Sequence, residues 1–274
     1  MSTSLKYTQH QYGVERDLQR LGVWHVDSES KSKTWIIYIH GGAWRDPRIT
    51  HQMFAPTIDV ALSSDSLPMA RIAAFASIDY RLSPHPGFPQ DPATTPGSEY
   101  RDAQHSDHLD DVRSGIAYLQ KTYGFGGNYI LVGHSAGACL AFQLLAQPQH
   151  AGSKVVLPQI VIGIAGIYDF AGIASRLGDA YTQFLTAAFG GDAAGWDEAA
   201  PMKSKTNYGD KWKGKATLAW SKDDQLVDEP EIDGMSARLE RDGVRHSVDK
   251  GVQGNHDLCW ERGVCIARLI SACF

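Results

Sequence analysis

Tyr129-Ile130-Leu131-Val132-Gly133-His134-Ser135-Ala136-Gly137, running on into Ala138-Cys139-Leu140-Ala141-Phe142-Gln143-Leu144-Leu145-Ala146, decides the fold. The first four residues are an apolar, β-prone run. The last nine contain neither Pro nor Gly and read as a helix. Between them stands G-x-S-x-G, so the order is strand, tight turn, helix, the context a nucleophile elbow needs. The reason is steric. A strand that turns abruptly into a helix crowds the backbone on both sides of the Ser, and glycine removes the Cβ atoms that would collide. The hydroxyl is then held at the tip of the turn, above a helix N-terminus whose unpaired N–H groups favour developing negative charge.

The length and composition agree with a large α/β domain. The chain has 274 residues, 43% of them hydrophobic, with 27 Gly and 12 Pro, enough to bury a central sheet. No linker-like stretch is visible, so a single domain over residues 1–274 is expected. The net charge of −5, with no basic run, argues against a nucleic-acid partner. No run of about 18 apolar residues occurs, so no membrane span is expected. Residues 1–10 lack an apolar segment of the secretory type, which predicts a cytoplasmic protein. Cys139, Cys259, Cys265 and Cys273 contain no C-x-x-C pair and read as reduced thiols, with no metal site and no disulfide frame.

Upstream of the elbow, residues 5–28 read as an edge strand or hairpin. Thr34-Trp35-Ile36-Ile37-Tyr38-Ile39 then suits a central strand covered on both faces. It runs straight into His40-Gly41-Gly42-Ala43-Trp44. Acyl transfer turns a carbonyl oxygen into an oxyanion, which needs fixed backbone N–H donors close by. Glycines let the main chain approach that closely. With the elbow about 90 residues later, the stretch resembles the HGGG-type oxyanion loop of esterases, and that resemblance implies the N–H groups of Gly42 and Ala43, joined by Ala136, as the candidate donors. His40 reads as a hydrogen-bonder that shapes the loop. A helix is predicted over Met53–Leu62, a strand over 71–80, and a long irregular loop over the five prolines between 84 and 96. A further helix follows, with Asp107 as its N-cap and Leu109, Val112, Ile116 and Leu119 on its buried face.

Downstream, Ile160–Ala165 reads as a buried strand. Residues 171–213 then break the β/α rhythm and read as a small cap of short helices over the site. Lys215–Trp220 is the next strand, and Asp223 and Asp224 follow it. An acid at the carboxyl end of a strand after the elbow is placed to orient a catalytic imidazole. The spacing of Ser221, Asp224, Leu226 and Val227 resembles the S/G-x-x-D-x-L-V pattern of such loops, which favours Asp224. A helix over 229–241 and a strand over 244–250 lead to the turn Gly254-Asn255-His256-Asp257, before a final helix. His256 stands where a general base should, able to take the Ser proton and pass it to the leaving group. The order Ser135, Asp224, His256 is that of the α/β-hydrolases.

Together these motifs are specific. His40-Gly41-Gly42-Ala43-Trp44 matches the HGGXW motif of the fungal and yeast kynurenine formamidases. Tyr80-Arg81-Leu82-Ser83-Pro84, Gly133–Ala138, Gly166-Ile167-Tyr168-Asp169 and Asn255-His256-Asp257 resemble the same family. The resemblance spans residues 35–260 or so. It implies an α/β-hydrolase fold, with a mostly parallel central sheet and helices on both faces. It implies an arylformamidase that hydrolyses N-formyl-L-kynurenine to L-kynurenine and formate, in tryptophan breakdown toward NAD, with Ser135, Asp224 and His256 as triad. A small-molecule substrate is expected, and no cofactor or metal. Trp44, beside the oxyanion loop, is expected at the substrate, where its bulk would tolerate a formyl group and exclude longer acyl chains. Arg45 and Arg81 are candidates for a substrate carboxylate or for ordinary salt bridges. The same triad could serve a carboxylesterase, a thioesterase or a lactone-forming hydrolase, because the motif specifies acyl transfer and not the acyl group. A third reading is a hydrolase fold that has lost catalysis and serves as a binding module. The sequence does not decide between a monomer and a homodimer.

Overall fold

The computed structural model describes residues 5–64, 66–147 and 155–274. The first four residues, part of the N-terminal stretch read above, lie outside them. Among the described residues eight strands form one sheet: β1 (Lys6–Gln11), β2 (Arg20–His25), β3 (Thr34–Ile39), β4 (Ile72–Ile78), β5 (Tyr129–His134), β6 (Ile160–Ile164), β7 (Lys215–Ser221) and β8 (Arg245–Val252). Their spatial order is β1-β2-β4-β3-β5-β6-β7-β8. β1 and β2 form an antiparallel hairpin, and β2 pairs antiparallel with β4. Every pairing from β4 to β8 is parallel.

Ten α-helices among the described residues connect and cover the sheet: α1 (Ala55–Ser63), α2 (Asp107–Tyr123), α3 (Ala136–Ala146), α4 (Phe170–Leu177), α5 (Asp179–Phe189), α6 (Ala193–Ala199), α7 (Tyr208–Lys211), α8 (Glu229–Arg241), α9 (Leu258–Arg262) and α10 (Val264–Ser271). The connection β3–α1–β4 moves across the sheet in one direction. The connections β4–α2–β5, β5–α3–β6 and β7–α8–β8 move in the other. Right-handed crossovers running in opposite directions leave their helices on opposite faces. Accordingly α1 packs with α9 and α10, and α2 packs with α3. This is the α/β-hydrolase fold.

The central strands are buried as their composition requires. β4 and β5 are buried at every residue, and β3 at every residue after Thr34. Two local readings need correction. Ser106, not Asp107, is the N-cap of α2. Asp107 is the first helical residue, and its carboxylate accepts the Gln104 N–H at 3.1 Å. Cys259 and Cys265 are joined in a disulfide, so the expectation of four reduced thiols fails; Cys139 and Cys273 are free. The left-handed Gly263, φ 70°, turns α9 into α10 and brings residues six apart to a Cα separation of 5.1 Å. No helix among the described residues is long and apolar enough to cross a membrane.

The strand order reverses between β3 and β5. The chain leaves β3 toward β4 on one side and leaves β5 toward β6 on the other, so the loops beyond their carboxyl ends diverge and open a crevice. Open α/β sheets bind ligands at such a switch point. Here the two loops are those carrying Gly41-Gly42-Ala43 and Ser135.

Candidate active site

Ser135 sits at the turn between β5 and α3 with φ 53° and ψ −120°, a left-handed conformation strained for a residue with a side chain. The turn survives because its neighbours are glycine. A Cβ on Gly133 would lie 2.3 Å from the carbonyl oxygen of Gly137, and one on Gly137 would lie 2.1 Å from that of Ile39. The Ser135 N–H donates to the Ile164 carbonyl at 2.8 Å, tying the tip of the turn to the end of β6.

The loop after β3 lies against this turn. Gly42, Ala43 and Trp44 all have positive φ, at 93°, 48° and 59°. The Gly42 carbonyl accepts the N–H groups of Arg45 at 3.0 Å and Asp46 at 2.9 Å, which closes the loop into a tight turn. The N–H groups of Gly42 and Ala43 find no acceptor among the described residues. Ala136 is the first residue of α3, where helix N–H groups have no internal partner. The three candidate N–H groups are therefore without an acceptor among the described residues, and Gly42 and Ala43 share a cavity with Ser135.

A buried polar cluster holds the loop from behind. Tyr80 donates its hydroxyl to the carbonyls of Gly41 at 3.0 Å and His40 at 3.1 Å, and its ring stacks on His40 at 4.5 Å. His40 Nδ1 donates to the Gly41 carbonyl at 2.9 Å, as a shaping residue should. Asp79 accepts from the His51 N–H, from His51 Nδ1 at 2.8 Å and from Arg20 Nε at 2.8 Å, with His40 Nε2 3.5 Å away. Burial pushes the Asp79 carboxyl up, but its hydrogen bonds to His40 and His51 outweigh this and hold it far below the usual carboxylate range.

The loops after β7 and β8 bring in the acid and the imidazole. His256 Nδ1 lies 2.8 Å from Asp224 Oδ2. The other oxygen of Asp224 accepts the N–H groups of Leu226 at 2.8 Å and Val227 at 2.9 Å. Burial raises the Asp224 carboxyl, but the His256 hydrogen bond, the imidazole charge and these two N–H groups prevail, and the net direction is down. Asp223 is exposed, and its backbone N–H donates to Ser221 Oγ at 3.1 Å. Ser221 Oγ donates to the Gly254 carbonyl at 2.6 Å and so pins the acid loop to the imidazole loop.

Sequence reasoning missed the second histidine. His134, next to Ser135, is buried, and its Nε2 donates to the His256 carbonyl at 3.0 Å; the two rings lie 4.6 Å apart. Burial, and then the neighbouring His256, push the His134 imidazole down to about 3. It is therefore neutral and keeps one ring N–H for that carbonyl. The only signal in the sequence was a histidine inside the elbow, which is not enough to reveal a partner 122 residues away.

Ser135, His256 and the backbone of residues 41–43 line one cavity of about 650 Å³. Ser135 and His256 both line it, with no side-chain hydrogen bond between the two; such bonds often tighten only around substrate. The cap contributes Ala180, Tyr181 and Phe184, all from α5. Tyr181 donates its hydroxyl to the Leu226 carbonyl, which fastens the cap to the acid loop. Trp44 does not line the cavity, contrary to the expectation that it meets the substrate. It is fully buried among Phe170, Phe184 and Phe189 at ring separations of 5.0–6.1 Å. The left-handed turn points its side chain under the cap instead. Arg81 is held by Asp111 at 2.8 Å and Asp107 at 3.3 Å, while Arg45 lines the cavity. Among the described residues, no group of three His, Cys, Asp or Glu side chains could hold a metal ion.

No protein-family model matches the chain. Curated relatives do. The chain is 37% identical to the kynurenine formamidase-like hydrolase fscH of Fusarium equiseti, over 92% of this chain and 88% of that one. It is 35% identical to the kynurenine formamidase avaC of Aspergillus versicolor, over 85% and 86% of the two chains. The kynurenine formamidase of Meyerozyma guilliermondii is 31% identical over 95% and 90%. Among solved structures, esterase B of Lactobacillus rhamnosis superposes with a TM-score of 0.71 at 15% identity, covering 95% of this chain and 80% of that one. A carbohydrate esterase from gut microbiota gives 0.69 at 15% identity, covering 99% and 97%. These two likenesses concern the fold alone.

Proposed function

The chain belongs to the kynurenine formamidase family of hydrolases, and on that premise we propose that it cleaves N-formyl-L-kynurenine to L-kynurenine and formate with Ser135 as nucleophile. One observation carries the reading. A hydroxyl on a strained turn, free backbone N–H groups and a carboxylate-held imidazole converge on one cavity.

The geometry supports the following steps. Ser135 Oγ attacks the formyl carbon while His256 Nε2 takes its proton. Asp224, bonded to Nδ1, keeps the unprotonated nitrogen turned toward the cavity and stabilises the imidazolium that forms. The carbonyl oxygen becomes an oxyanion among the N–H groups of Gly42, Ala43 and Ala136. His256 returns the proton to the departing aniline nitrogen, the C–N bond breaks, and a formyl ester remains on Ser135. Water, deprotonated by His256, attacks that ester; formate leaves and the proton returns to Ser135. No step calls for a cofactor.

The test is formate release from N-formylkynurenine, with Ser135→Ala as control. Loss of roughly 10⁴-fold or more in the variant is expected. Turnover that survives in Ser135→Ala, or a wild-type enzyme inert toward the formamide but active on acyl thioesters or longer esters, would overturn the proposal. The second outcome would favour the carboxylesterase and thioesterase alternatives, which need the same machinery.

A further inference from the structure

The catalytic cavity holds a positive charge that the mechanism does not use. Arg45 lines it, half-buried, and forms no ion pair with any described residue. The carboxylate beside it is already engaged: Asp46 is gripped by Arg48, with Nε 3.0 Å from one oxygen and Nη2 2.7 Å from the other. What Arg45 has instead is uncharged. Its guanidinium lies 5.7 Å from the centre of the Phe184 ring, and Nη1 donates to Gln183 Oε1 at 3.4 Å.

Burial lowers Arg45 from its ordinary value, more than the nearby Asp46 charge raises it, yet an arginine so placed stays charged. A partly desolvated cation without an anion is a standing cost, and binding an anion relieves it. The surroundings increase that demand. A second cavity of about 370 Å³ meets the first at Arg45 and His85. Its wall includes Arg101, which also forms no ion pair among the described residues.

The Arg45 backbone is fixed by the same turn that shapes the glycine loop. Its own N–H closes the turn on the Gly42 carbonyl at 3.0 Å. The candidate oxyanion donors Gly42 and Ala43 and Arg45 thus belong to one short loop, and all three line the same cavity as Ser135. We propose that Arg45 binds a carboxylate carried on the leaving group, so that the enzyme selects aryl formyl compounds whose departing half bears a carboxylate. The inference rests on the formyl-transfer reading above and adds to it the charge and position of the recognised group. The planar guanidinium fork suits a carboxylate held by two hydrogen bonds.

The experiment uses the full chain and two matched substrate pairs. One is an aryl formate ester whose ring side chain ends in a carboxylate, with its carboxamide counterpart. The other is the corresponding pair of formanilides. The readout is the ratio of kcat/KM, carboxylate over carboxamide, with KM and kcat resolved. A wild-type ratio of roughly 10- to 100-fold, expressed mainly in KM, is expected for a charge-assisted contact. Arg45→Gln should bring the ratio close to one, and Arg45→Lys should retain part of it. A wild-type ratio near one, or a ratio that Arg45→Gln leaves untouched, overturns the proposal. The two readings fail separately. Inert formanilides with an Arg45-dependent ester ratio would sink the formamidase reading and keep the anion site. Formanilides cleaved without regard to charge would do the opposite.

Discussion

Asp224 grips His256 with one carboxylate oxygen, 2.8 Å from Nδ1, and spends the other on two backbone N–H groups of its own loop. The carboxylate cannot rotate without breaking three hydrogen bonds, so the imidazole inherits a set orientation. Asp224→Asn should keep the fold and lose the tautomer preference. We expect kcat to fall by about 10³- to 10⁴-fold with little change in KM. Asp223→Asn, at the exposed neighbour, should stay within about twofold on the same substrate. Steady-state formate release checks both, and equal effects at the two positions would refute the arrangement.

His134 should position rather than react. His134→Phe keeps a ring beside His256 but deletes the donor to its carbonyl, leaving a buried acceptor unpaired at a cost of about 1–3 kcal/mol. We expect a lower Tm and a fall in kcat, with KM and fluorophosphonate labelling of Ser135 retained. His134→Asn, which can restore an N–H donor, should recover part of the kcat. A His134→Phe enzyme with wild-type kcat would show that the tie does not matter.

Stability should fall in mild acid. Burial is the largest cause that pushes both His134 and His108 down to about 3 in the folded protein. The unfolded chain binds those protons near pH 6.5, so between about pH 6 and pH 4 it takes up protons the native state refuses. Folding stability is therefore lost as pH falls through that window, by about 1.4 kcal/mol per pH unit for each group. Denaturant unfolding across pH 4–7 measures the slope. His108→Gln should remove one group's share, and an unchanged slope would count against it.

Trp44 should matter to the fold and not to acyl selection. Its side chain is fully buried in the aromatic cluster beneath the cap and is absent from the cavity wall. Trp44→Ala should cost about 3–5 kcal/mol of stability. The relative rates on formyl, acetyl and butyryl esters should keep their wild-type order. A marked gain on the longer chains would return Trp44 to the substrate.

Much of this site was readable because its signals are local. Gly133 and Gly137 announce a turn that only glycine permits, and the strand and helix around them are visible in their hydrophobic patterns. The Gly-Gly pair after β3 works the same way. Asp224 was favoured over Asp223 by spacing to Leu226 and Val227, the residues whose N–H groups its carboxylate accepts. Trp44 was misread because its chain position says nothing of direction. One residue at positive φ swings a side chain from a cavity into a core. The disulfide escaped because a six-residue spacing becomes a pairing only once Gly263 folds α9 back on α10.

The chain's own order of residues determined the alternation of strands and helices, the elbow at Ser135 and the glycine loop facing it, since each depends on backbone sterics over a few residues. Tertiary structure alone decided what meets across the sheet edge: His134 against the His256 carbonyl, Ser221 against Gly254, the cap against Leu226, and an Arg45 left without a carboxylate. Those outcomes depend on distances between segments tens to more than a hundred residues apart. Only the packed sheet sets such distances.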